Sequence, residues 1–220
     1  MIVHCEDKYV SRFIVPSDSN NKNFIFDMPE TWWSRPYEYE WARQFAEEND
    51  ICLDAACGLS HPLKFYLHDK CKVVHACDID ERIVASTKIL EDIAVTVGEE
   101  TACHFPAKYL SDIKYKQANI TNLPYEDKMF DKIYCISVLE HLAPLDIVKA
   151  FSELARVIKD EGLMILTFDY PSINLQLLEQ VVTHSGLKFA GHVDFKLPSD
   201  AIFSDLWGRL YCFRGLLRKQ

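Results

Sequence analysis

The segment Ile51–Ser60, ICLDAACGLS, ends a short apolar run in a carboxylate, Asp54, and continues through the small residues Ala56, Gly58 and Ser60. A second acid, Asp78, closes another apolar run 20 residues after Gly58. A strand that ends in an acid, turns through small residues and enters a helix lets backbone approach a ligand closely. A carboxylate at the end of the next strand can accept both hydroxyls of a ribose. The layout describes a pocket for an adenosine-type cofactor at the carboxyl edge of a parallel sheet. Small residues are also common in ordinary strand-turn-helix joints, so this segment alone leaves both readings open.

Two further blocks follow in chain order: NITNLPYEDKMFDKIYCISVLEHL over Asn119–Leu142, and LARVIKDEGLMILTFDY over Leu154–Tyr170. Together with LDAACG and ACDID they resemble the class I S-adenosylmethionine-dependent methyltransferases in order and spacing, over roughly Ile51 to Tyr170. The resemblance implies an α/β, Rossmann-like three-layer sandwich. Its sheet would be mostly parallel and seven-stranded, with a C-terminal antiparallel strand inserted between the fifth and sixth. It also implies S-adenosyl-L-methionine as cofactor and in-line methyl transfer to a nucleophilic atom of an acceptor.

Carried onto this chain, the resemblance gives Asp54 the positive methionyl end of the cofactor, directly or through water. An acid there can equally cap the turn that follows. The family's GxGxG-like turn is here Ala56-Cys57-Gly58-Leu59-Ser60, with small residues at two of the usual glycines. Alanine resists a positive φ, and Gly58 is the position least able to accept a side chain. Asp78 would bind the ribose diol, with Ile79 flanking adenine and Asp80 capping the next helix. Asn119 and Ile120 match the segment that reads the adenine edge. The family frequently has Asp where Asn119 stands, and an amide oxygen still accepts a hydrogen bond. The same amide can instead close an Asx-type turn.

Ser137–Leu142 follows the fourth core strand, where the cleft for methyl transfer would open, and Ser137 belongs with the cofactor-holding residues. His141 has two readings: a general base or acceptor-orienting group, since an unperturbed imidazole titrates near ~6.5, or a wall of the cleft. Glu140 has the same two. A sulfonium already activates its methyl group, so the absence of an obvious catalytic dyad does not argue against catalysis.

The elements that must position these groups read as alternating strands and helices. Core strands are expected at about 51–55, 72–77, 113–118, 131–137 and 162–168, and a last strand within Leu210–Leu217. Upstream, Tyr9–Val15 and Asn23–Asp27 suit a hairpin around PSDSNN, and Tyr37, Trp41 and Phe45 mark a helix over about 36–48. Trp32, Trp33 and Arg35 precede that helix and are candidates for a lid or for acceptor contact. Residues 1–220 read as a single domain, with 1–50 an N-terminal elaboration or lid.

Composition limits the alternatives. A net charge of −9 argues against general nucleic-acid binding, which needs clustered Lys and Arg. Arg209, Arg214, Arg218 and Lys219 follow Asp205 without an acid among them, as a solvated tail or a binding patch. No apolar run is long enough for a membrane span, and MIVHCEDKYV lacks the features of a signal peptide, so a cytoplasmic protein is expected. The eight cysteines show no CxxC spacing, which points to free, mostly buried thiols and no metal site. A small-molecule acceptor is favoured, its identity and its methylated element unread. The competing functions are a catalytically silent S-adenosylmethionine-binding module and a nicotinamide-dependent dehydrogenase, for which the turn ACGLSH lacks GxGxxG.

Overall fold

The computed structural model describes residues 6–220. Five strands form the parallel core: β2 (Ile51–Ala55), β3 (Val73–Asp78), β4 (Lys114–Gln117), β5 (Phe130–Ile136) and β6 (Ile158–Tyr170), with β4 (KYKQ) a polar edge strand and the first strand, β1 (Arg12–Phe13), lying upstream. β2 pairs in parallel with β3 and β5, β3 with β4, and β5 with β6. The C-terminal strand β9 (Leu210–Lys219) lies antiparallel to β6, so the order across the sheet is β1-β9-β6-β5-β2-β3-β4.

The outer position beside β9 is shared by three short pieces. β7 (Leu187–Phe189), β1 and β8 (Phe203–Ser204) all pair antiparallel with β9, opposite its residues 217–219, 213–214 and 210–211 in turn. Seven positions therefore span the sheet, with the last one composite.

Period-two alternation sends side chains to two cores. Met164, Leu166 and Phe168 face the layer built by α6 (Pro144–Val157) and α7 (Leu175–His184). Ile165 and Leu216 face the other layer, with α1 (Arg35–Ala42), α2 (Leu63–Lys70) and α3 (Ser86–Thr96). Two short helices, α4 (Glu99–Cys103) and α5 (Ala107–Ser111), fill the connection to β4.

Two expectations are corrected. The N-terminal hairpin does not form: β1 joins β9, and Asn23 and Asp27 make only an isolated bridge. Nor is the basic C-terminal run a free tail: Arg214, Arg218 and Lys219 lie within β9, and although Arg209 and Arg218 are exposed, Arg214 is only 3% exposed. One cause underlies both. The buried Arg214 guanidinium needs carboxylates, and it donates to Asp7 at 2.8 Å and to Asp18 at 3.5 Å. Asp18 also accepts from Arg12 at 2.6 Å, which seats the N-terminal segment on the edge of the sheet.

Among the described residues the seven cysteines are free, five of them buried; Cys5 lies outside the described residues. Among the described residues no helix is long and apolar enough to cross a membrane. Asp50, Cys52 and Cys71 bring potential ligand atoms within 4.8 Å of one another, but the Lys132 ammonium already lies 3.2 Å from Asp50 and supplies positive charge there.

Candidate active site

The carboxyl ends of β2, β3, β4 and β5 open into a cavity of about 420 Å³. Its floor is the turn after β2. Ala56 takes φ 55° and Gly58 φ 58°, so alanine does occupy the left-handed conformation the sequence argued against. The compensation comes from Lys64, which is fully buried without a carboxylate partner. Its ammonium donates to the carbonyls of His61 (2.6 Å), Gly58 (2.9 Å) and Cys57 (3.4 Å), tying the turn to α2.

The turn is also tied to β3. The Gly58 amide donates to one Asp78 carboxylate oxygen at 2.8 Å, and the Asp80 amide donates to the other at 3.0 Å. Asp78 is thus fixed at the mouth of the cavity, with Ile79 exposed beside it. Asp54 lies deeper and is 3% exposed. Burial, reinforced by the charge of Asp78 and opposed by Lys64, pushes its pKa up to about 7.

On the far wall stand Asn119, Ile120 and Ser137, with His141 at the rim. The Asn119 oxygen accepts from the Thr121 amide and hydroxyl, both at 2.9 Å, in an Asx-type turn. That turn occupies the oxygen the sequence offered to adenine and leaves the amide nitrogen as the side chain's donor.

The last wall comes from α1. Glu38, 0% exposed, accepts from Ser137 (2.7 Å), Thr167 (2.6 Å) and Ser34 (3.2 Å), and also pairs with Arg35. Burial pushes its pKa up, but Arg35 and these hydroxyl donors outweigh burial and hold it below the ordinary carboxylate value. Tyr39 and His61 continue the wall, with the phenol oxygen 2.8 Å from His61 Nδ1. Burial and the cations Arg35 and Lys64 keep the imidazole neutral, while burial keeps the phenol protonated. Tyr39 therefore donates to Nδ1, which leaves the ring proton on Nε2.

Trp32 stacks on His61 with ring centroids 4.2 Å apart. It and Trp33 lie outside the first cavity and line an adjoining cleft of about 400 Å³, with Glu140, Asp169 and Trp207. Arg35, His61 and His141 border both spaces.

The sequence reading missed Lys64, Glu38, His61, Asp169 and Trp207. Lys64 stands between Leu63 and Phe65 at the start of α2, where a charge among core residues marks an internal partner. Asp169 ends an apolar run in an acid, as Asp54 and Asp78 do, and that shared pattern could have found it.

A mostly parallel sheet with an inserted antiparallel strand, an acid-ended first strand and a carboxylate closing the second defines a Rossmann-like fold with a nucleoside-cofactor pocket. Residues 53–166, just over half of the chain, match the methyltransferase domain model, and the chain belongs to that family. Among similar proteins, the uncharacterized methyltransferase YcgJ of Bacillus subtilis is 29% identical over 111 residues, covering 50% of this chain and 40% of the relative. The chain spans less than half the length of the curated relatives it matches. The YcgJ crystal structure superposes with a TM-score of 0.59 at 14% identity, covering 83% of this chain and 98% of that one. A TehB-like SAM-dependent methyltransferase from Corynebacterium glutamicum gives 0.56 at 14% identity, covering 83% and 87%. At these identities the structural likeness is one of fold.

Proposed function

We propose that the chain is an S-adenosylmethionine-dependent methyltransferase of the cytoplasm, acting on a small-molecule acceptor. The observation that carries this reading is the Asp78 carboxylate, held by two backbone amides at the mouth of the cavity. S-adenosylmethionine, when bound, supplies an electrophilic methyl group on a sulfonium.

The residues present fit that cofactor. Each Asp78 oxygen uses one lone pair on backbone and retains another for a ribose hydroxyl. Ile79 and Ile120 flank the base, and the Asn119 amide nitrogen donates to its edge. The turn at Ala56 and Gly58 presents backbone where a larger side chain would intrude. Asp54 offsets positive charge at the methionyl end, and Arg35 has donors left for a carboxylate beyond the Nη1 committed to Glu38 and Ser137. Trp32 and Trp33 cover the junction with the adjoining cleft, and His141 is a candidate base for a protonated acceptor. Holding the reactants in near-attack geometry can contribute roughly 7–11 kcal/mol, so the protein's main task is orientation and exclusion of water.

Asp78→Ala should weaken S-adenosylmethionine binding at least about tenfold, roughly 1.4 kcal/mol, in a folded protein. Calorimetric titration checks this, and unchanged affinity would remove the ribose assignment. Detection of S-adenosylhomocysteine across a metabolite screen then tests turnover.

A pH dependence follows from Asp54, whose carboxyl faces Asp78 and Lys64. In the ligand-free fold its raised pKa means that the unfolded chain loses the proton first. Asp54 therefore removes stability as the pH climbs from about 4 toward 7. A cation bound beside the ionised carboxylate reverses that cost. S-adenosylmethionine affinity should rise several-fold between about pH 5.5 and about pH 8, and Asp54→Asn should flatten the rise. A wild-type affinity independent of pH would contradict the assignment.

A further inference from the structure

The adjoining cleft carries a chemical demand that the chain itself does not meet. Glu140, in the turn after β5, accepts the Asp169 amide of β6 on one carboxylate oxygen at 3.3 Å. Its other oxygen, and one oxygen of Asp169, are buried without a hydrogen-bond partner among the described residues. Two carboxyl groups are thus brought to one wall with acceptors to spare. Arg35 acts on both acids through its charge alone: its Nη1 donates to Glu38 and Ser137, and it donates no hydrogen bond to Glu140 or Asp169. Burial, with each group's acidic neighbours, pushes Glu140 up to about 8 and Asp169 up to about 6, while Arg35 opposes both shifts. Three indoles also line the cleft, Trp32, Trp33 and Trp207, the last 66% exposed, alongside Thr31, Ser34 and Leu210. Indole faces attract cations, and paired carboxylates demand them.

From this juxtaposition we infer that the cleft takes a cationic amine carried on a small apolar group, and that the methylated atom is nitrogen. The inference rests on the methyltransferase reading of the neighbouring cavity, with which the cleft shares Arg35, His61 and His141. The amine binds as ammonium against the carboxylates and must shed a proton to become a nucleophile. Glu140 is placed to take that proton as its carboxylate, with Asp169, Arg35, Glu38 and His141 the charged or titratable groups around it. The nitrogen lone pair then forms the N–C bond to the sulfonium methyl as the C–S bonding pair returns to sulfur. The products are S-adenosylhomocysteine and the methylated ammonium, and the proton on Glu140 is released to solvent. A carboxylate or phosphate acceptor would meet like charge at the same wall.

The test uses the intact chain. Titration with S-adenosylhomocysteine comes first, and silence there sinks the cofactor reading itself; the remaining steps address the acceptor alone. Propylamine, phenethylamine and tryptamine, each with its matching alcohol and carboxylic acid, are titrated into the S-adenosylhomocysteine-loaded protein by calorimetry and tryptophan fluorescence. Magnesium chloride is included as an inorganic cation. At least one amine should bind at least about tenfold more tightly than its alcohol, with the acid weakest. Glu140→Gln and Asp169→Asn should each cut that preference to under about threefold while changing S-adenosylhomocysteine affinity by less than about twofold. The two variants are read separately, so a folding defect in one leaves the other to decide. Equal binding of amine and alcohol, preference for the acid, failure of every amine to bind, or magnesium that displaces the amine overturns the inference.

Discussion

Gly58→Val should abolish measurable cofactor binding, a loss of at least about a hundredfold or roughly 2.7 kcal/mol, while the domain stays folded. Two effects combine at this residue. Its φ of 58° is a conformation that a β-branched side chain resists, at a cost of order 1–2 kcal/mol. A Cβ there would also stand 2.6 Å from His61 Cδ2. His61 has little room to yield, since Trp32 stacks on it and Tyr39 donates to its Nδ1. The turn must therefore move, taking with it the amide that holds Asp78 and the carbonyl that holds Lys64. In thermal melts the variant should lose its cofactor-induced shift with only a modest fall in its own Tm. Gly58→Ala meets the same first contact. Combined with His61→Ala it should bind better than additivity of the two single changes allows. Full cofactor affinity in folded Gly58→Val would remove the turn from the binding site.

How far the sequence revealed this site depended on whether the partners were local. The parallel strands read clearly, because strands buried on both faces appear as continuous apolar runs, as in β2 and β5. Asp54, Gly58 and Asp78 were legible for a related reason: each sits at a fixed offset from the end of such a run. The edge of the sheet was not. Alternation near Phe13 fits a hairpin as well as an added strand, and what decides is Arg214, some two hundred residues away, with its need for Asp7 and Asp18. Lys64 was hidden likewise, since its partners are backbone carbonyls that carry no sequence signal. Asn119 was open to two readings, an acceptor for adenine or an Asx-type turn, and its oxygen accepts from Thr121 in such a turn. Trp32 and Trp33 stood out by type alone. Their separation from the cofactor cavity and their place in the next cleft required the fold.

Glu38→Ala should cost about 3–5 kcal/mol, the range for breaking one side of a buried ion pair, and so a large part of an ordinary domain's stability. The carboxylate is fully enclosed and joins α1 to three parts of the sheet. Ser137 follows β5, Thr167 lies in β6, and Cys212 of β9 donates its thiol at 3.3 Å. Removing the carboxylate leaves the partly buried Arg35 guanidinium without its counter-charge and leaves the hydroxyl donors facing a void. Glu38→Gln keeps the shape and part of the hydrogen bonding, so it should fall between alanine and wild type. The pH response separates charge from packing. Because the folded pKa of Glu38 lies below its unfolded value, its contribution is complete above about pH 4.5 and is lost as the pH falls through the folded pKa. The stability difference between wild type and Glu38→Gln, measured by urea denaturation, should therefore narrow as the solution is acidified. S-adenosylhomocysteine binding should weaken in both variants, since Arg35 and Ser137 line the cofactor cavity. A Glu38→Ala protein within about 1 kcal/mol of wild type would show that α1 is held by Tyr39, Trp41 and Phe45 alone, with the buried ion pair contributing only a normal surface-bridge increment.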